Sequence, residues 1–107
     1  GKRHFDNWFT IAQHIDKEYK SQTNPEIKQL ILKHLIAFKD MTLQMNWKAQ
    51  QNEELWKESH RNYQTLSSLG IMDYFSSEFS KETKKKAIKL ALPTSLAMWL
   101  FKKQYYG

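Results

Sequence analysis

At 107 residues the chain can build one hydrophobic core, and its lack of cysteine excludes a disulfide scaffold, a thiolate metal site and a cysteine nucleophile. Gly70 is the only glycine between the two ends, so neither a P-loop nor a dinucleotide-binding G-x-G-x-x-G can be assembled. The net charge of +6 is concentrated: residues 1–80 carry ten basic and ten acidic side chains, whereas residues 81–107 carry seven lysines against Glu82 alone.

The chain opens Gly1-Lys2-Arg3-His4 with no initiator methionine, as expected of a processed or trimmed end with sequence upstream. Phe5, Trp8, Phe9, Ala12, Ile15 and Tyr19 recur at helical spacing and predict a first helix over about 5–20, with Asp6, Gln13, Asp16 and Lys17 off the stripe. Asn24-Pro25-Glu26 then reads as a helix start. Asn24 supplies a capping oxygen, Pro25 needs no N–H at the first position, and Glu26 suits the positive end of the helix dipole.

The helix from 25 to about 46 carries two apolar stripes. Ile27, Leu30, Ile31, His34, Leu35, Phe38, Met41 and Met45 form one, expected to face the core. Leu32, Ile36, Leu43 and Trp47 form the other, expected to be either more core or a face for a partner. This helix is read as the centre of the fold.

From Lys48 to Leu69 there is no glycine or proline, and a thinner stripe of Leu55, Trp56, Ser59, Tyr63 and Leu66 predicts a third helix over 49–69. The competing reading is one unbroken helix through 25–69. Gly70 is placed as the helix C-terminal glycine. Residues 71–79, with Ile71, Met72, Tyr74, Phe75 and Phe79, are expected to form a short helix or turn lying on the core. Ser80 caps a helix over 81–92, Pro93 ends it, and a last helix over 94–105 runs through Leu96, Trp99 and Leu100. The fold class is all-α: a single helical bundle of four to six helices packed around residues 25–47.

Catalytic and metal chemistry find little to work with. His4, His14, His34 and His60 have neither H-E-x-x-H nor Glu-x-x-His spacing. His34 is read as a core or boundary histidine. Glu53, Glu54, Glu58 and His60 fall on what reads as an exposed helix flank, where carboxylates keep ordinary acidity. No serine stands in a nucleophile motif. The expectation is a protein that is not an enzyme, with no cofactor, no metal and no small-molecule substrate. The aromatic residues sit mostly on stripes, as core residues do, rather than on a stacking surface for single strands.

The C-terminal section, 81–107, carries the functional signal. Lys81, Lys84, Lys85, Lys86, Lys89, Lys102 and Lys103 are the candidate polyanion-binding residues, because lysines on an amphipathic helix meet phosphate by charge and without base reading. The leading expectation is a non-catalytic architectural module that contacts nucleic-acid backbone without sequence specificity, as a DNA-coating or DNA-compacting subunit does. Two alternatives stand beside it. One is a protein-interaction or homo-oligomerisation domain using Leu32, Ile36, Leu43 and Trp47. The other is a peripheral membrane-surface module using residues 84–106, where lysine and tyrosine flank a short apolar stretch. The absence of cysteine and of a signal peptide leans toward an intracellular setting.

Overall fold

Asn24 begins the longest helix as its chemistry predicts. Its side-chain oxygen accepts from the backbone N–H groups of Glu26 (2.9 Å) and Ile27 (3.3 Å), and its carbonyl accepts from Lys28 N–H at 2.8 Å. The computed structural model describes residues 2–50 and 52–106. They form α1 (Lys2–Ser21), α2 (Pro25–Gln50), α3 (Glu53–Tyr63), a 3-10 turn η1 (Ile71–Phe75), α4 (Lys81–Ala91) and α5 (Thr94–Tyr106), with no strand among the described residues. The molecule is thus an all-helical bundle. Helices α1, α3 and α4 all pack on α2, and α5 closes the bundle against α3 and α4.

The two stripes of α2 exchange roles relative to the sequence reading. Leu32, Ile36, Leu43 and Trp47 are buried inside the single chain, together with Leu35. That corrects their assignment as a partner face: α1, α3 and α4 already cover them. The other stripe faces outward, with Ile27, Leu30, His34, Met41 and Met45 exposed and Ile31 and Phe38 only partly covered. His34 is therefore a surface histidine rather than a core one. Both stripes satisfy the 3.6-residue period, so periodicity locates the faces without saying which one the neighbours occupy.

The break between α2 and α3 falls later than predicted. Helix α2 continues to Gln50, through the polar run expected to end it near Asn46, and Asn52 caps α3 by accepting from Leu55 N–H at 3.1 Å. The predicted start of the third helix at Ala49 therefore lies inside α2. Helix α3 also ends early, at Tyr63 rather than Leu69. Beyond it polar side chains offer the backbone other partners. Thr65 Oγ1 donates to the Asn62 carbonyl (2.6 Å), and Gln64 Nε2 donates to the carbonyls of Leu90 (3.0 Å) and Leu92 (2.9 Å). Ser67 N–H donates to Asp16 Oδ1 (3.0 Å), and its carbonyl accepts from Lys39 Nζ (2.8 Å).

Gly70 does not terminate a helix. It is extended (φ −82°, ψ 170°) and starts η1, its N–H donating to Asp73 Oδ2 at 2.7 Å. Nor does η1 lie flat on the core. Tyr74 packs inward, while Ile71, Met72 and Phe75 point out at 79%, 78% and 81% exposure. In α5 the core positions are Ala97, Met98 and Phe101, while Leu96 and Trp99 are exposed and Leu100 is half-buried. The Pro93 carbonyl accepts from Ala97 N–H (2.9 Å), and Thr94 turns its hydroxyl to His60. That choice fixes the rotation of the helix.

Around this frame sits a core of Trp56, Tyr63, Phe101, Leu35, Ile36 and Leu43. Trp56 donates through Nε1 to the Leu43 carbonyl (3.2 Å), stacks on His60 at 5.2 Å and meets Phe101 edge-on at 5.0 Å. His60 is fully buried, which corrects its placement on an exposed flank. Its ring nitrogens meet Thr94 Oγ1 (2.9 Å) and the Lys89 carbonyl (3.3 Å), and burial holds its pKa below the usual imidazole value. Glu53, Glu54 and Glu58 are exposed, as read from the sequence.

Candidate polyanion-binding surface

Helix α4 is positioned by Ser80, whose hydroxyl accepts from Thr83 N–H at 3.1 Å, and by Ala87 and Leu90, which are buried in the core. At about 100° per residue those anchors place Lys81, Lys85 and Ile88 on the outward line, with Lys84 on one flank and Lys86 on the other. Lys81, Lys85 and Ile88 are exposed, and Lys84 and Lys86 are half-buried along their stems. None of these four lysines has an ion-pair partner among the described residues, and Glu82 is the only acid on the helix.

The remaining candidate lysines separate from this group. Lys89 turns inward to α2, where Nζ lies 3.3 Å from Oδ1 of the buried Asp40, while Oδ2 of Asp40 accepts from Gln44 Nε2 at 2.6 Å. Its ammonium also sits 4.9 Å from the Phe101 ring. Lys89 is thus a pin between α4, α2 and α5. Lys102 pairs with Glu53 and lies 5.5 Å from the Trp47 ring, tying α5 to the start of α3. That pair holds the Glu53 carboxyl below its ordinary pKa, through the hydrogen bond and the charge of Lys102. Lys103 remains on the surface, 5.0 Å over the ring of Trp99. Five of the seven sequence candidates therefore present their charge outward.

The lysines of α4 crowd one sign of charge onto two turns. Lys81 sits in the first turn, at the positive end of the macrodipole, where an exposed cation costs about 0.3–1 kcal/mol and the adjacent Glu82 offsets it, whereas Lys84, Lys85 and Lys86 lie beyond the reach of that end. Apolar groups border the charge: Ile88, Leu96 and Trp99 are exposed, Trp99 at 55%. The side chains of Tyr105 and Tyr106, expected to flank this stretch, lie outside the described residues.

A second polar cluster escaped the sequence reading. Asp16 on α1 and Lys39 on α2 are both buried, bridged by Ser67, and Lys20 Nζ closes on Asp16 Oδ2 at 3.1 Å. Burial by itself would raise the Asp16 pKa, but hydrogen bonds from Ser67 and Lys20 overcome it and hold the carboxyl low. Burial lowers Lys39 to about 8 against the pull of Asp16. Lys39 borders a cavity of about 220 Å³ with Tyr63, Gln64, Leu66, Ser68 and Leu90. Its ammonium is spent on the Ser67 carbonyl, so the cluster reads as a knot holding the 64–70 segment to α1 and α2. A signal for it was available. Asp16 continues the Phe5–Ala12 line and Lys39 the Leu32–Leu35–Leu43 line, so each of these apolar lines is interrupted by one charge.

Among the described residues no group of three potential ligands could hold a metal ion, and no helix is long and apolar enough to cross a membrane. No family model matches the chain, and neither the curated proteins nor the solved structures contain a match.

Proposed function

We propose that this chain is a non-catalytic module that binds a polyanion, nucleic-acid backbone in the first instance, through the outer face of α4. One observation carries the reading: Lys81, Lys84, Lys85 and Lys86 crowd onto two successive turns of one helix with no ion-pair partner among the described residues. Lys103 extends the same sign of charge onto α5. Contacts of this kind are made to phosphates by charge alone, so binding is insensitive to sequence and falls steeply with salt.

The test is a titration of duplex DNA and of RNA at several salt concentrations. Each lysine that neutralises a phosphate contributes roughly 0.9 to the slope of log K against log salt on duplex DNA. Changing Lys81, Lys84, Lys85 and Lys86 together to Gln is expected to lower that slope by roughly 3–4. Lys102→Gln, whose charge is engaged by Glu53, is expected to leave it unchanged. Absence of binding at low salt, or a slope indifferent to the four substitutions, refutes the reading.

A second reading rests on the exposed Ile88, Leu96 and Trp99 beside these lysines. Apolar and indole side chains beside cations suit the interface of an anionic bilayer. Co-sedimentation with phosphatidylserine vesicles that is lost on Trp99→Ser, while DNA binding persists, would favour that surface instead.

A further inference from the structure

The outer face of α2 carries a long uncharged apolar strip, and we infer that it docks a second copy of this chain, α2 against α2 in antiparallel orientation. Ile27 (44% exposed), Leu30 (62%), His34, Met41 (49%) and Met45 (50%) run in one line, with Ala37, Ile31 and Phe38 half-covered along it. From residue 27 to residue 45 the line is about 27 Å long at 1.5 Å per residue. It contains no Lys, Arg, Asp or Glu, in a chain where 26% of residues are charged. A polyanion or an acidic peptide finds nothing there to pair with. Another uncharged apolar strip does, and each further copy brings one.

The spacing is also self-complementary under a two-fold axis. Reversing α2 about a point between Leu35 and Ile36 carries Leu30 onto Met41 and His34 onto Ala37. Ile27 then falls on Gln44, one residue from Met45. Large meets small at the centre, where Ala37 leaves room for His34, and the adaptable Met41 closes on Leu30, while toward the ends Met45 falls on the exposed Glu26, one residue from Ile27. Steps of three and four residues are those of a two-helix seam. The strip exposes on the order of 400 Å² of apolar surface, within the range of the largest patches on monomers. Two copies would bury about 800–1,000 Å², below the roughly 1,200 Å² at which stable specific interfaces begin, so the pair is a weak, reversible dimer rather than an obligate one.

This inference does not rest on polyanion binding, and salt separates the two. With a net charge of +6 on each copy, screening weakens the mutual repulsion, so raising salt leaves dimerisation unchanged or strengthens it while polyanion binding falls. Sedimentation velocity of the chain alone, over a concentration series at low and high salt, is expected to show a monomer–dimer equilibrium. Leu30→Glu with Met41→Glu should weaken it by roughly tenfold or more, with the thermal melt of the monomer unchanged. The orientation has its own readout, because the chain has no cysteine. The variant carrying both Leu30→Cys and Met41→Cys should form a covalent dimer on mild oxidation, and either substitution alone should not. A strict monomer at every concentration overturns the inference, as does association indifferent to the glutamate pair. Efficient linking by Leu30→Cys alone also overturns it. So does a monomer that loses binding to phosphatidylserine vesicles on Leu30→Glu, which would give the face to a lipid surface.

Discussion

Lys39 makes stability depend on pH in a direction opposite to that of an ordinary ion-paired lysine. The side chain is 1% exposed, and burial lowers its pKa to about 8 from 10.5, with Asp16 opposing the shift. Between those two values the unfolded chain holds a proton that the folded chain has released, so stability rises as pH rises. Below about pH 8 both states are protonated and the whole penalty, about 3 kcal/mol, is present. Roughly 2 kcal/mol of it is relieved between about pH 8 and pH 10.

The window closes near pH 10. Burial raises the pKa of Tyr63, and burial followed by the charge of Asp73 raises that of Tyr74. Those phenols ionise first in the unfolded chain and lower stability above that point. Urea unfolding followed by the fluorescence of the buried Trp47 and Trp56, at steps across this range, measures the slope. Lys39→Met keeps a stem of similar bulk without the charge and is expected to flatten it. Equal slopes in the two proteins would refute the account of Lys39 as a buried, desolvated cation.

Two further expectations test the fold. Trp56→Ala, which removes a fully buried ring stacked on His60, is expected to cost about 3–5 kcal/mol, whereas Trp99→Ala on the outer face of α5 should stay within about 0.5 kcal/mol. Chemical denaturation of both variants distinguishes them, and similar losses would mean that the assigned rotation of α5 is wrong. Asn52→Ala removes the cap of α3 and is expected to cost about 1 kcal/mol, or about 4–8 °C of melting temperature, with helical circular dichroism little changed. The exposed, mid-helix Asn7→Ala serves as the control and should show no such loss.

The helical class and the starts of α2, α4 and α5 are legible in local chemistry. Asn24, Ser80 and Pro93 act within one turn of themselves, and the structure uses all three at helix starts. Helix ends were read less well. The end of α3 is held by Gln64 and Ser67 bonding to groups 26 and 51 residues away, which no local pattern encodes. The lysines were found because a run of charge is visible in any conformation. Which of them are already engaged was not, since Asp40 and Glu53 approach Lys89 and Lys102 only through tertiary packing.

By itself, the sequence determined that this protein is helical, where its chain must start to coil, and that its excess charge lies in its last quarter. Capping, glycine content and charge are properties of a residue and its near neighbours. The tertiary structure decided which of the two stripes of α2 is core and which face α5 turns outward. It also decided that Asp16 and Lys39 share a buried bridge and that four lysines of α4 have no ion-pair partner among the described residues. Those depend on where neighbouring helices come to rest. An amphipathic period fixes how a helix can be buried, and only its partners fix which side is left for something else.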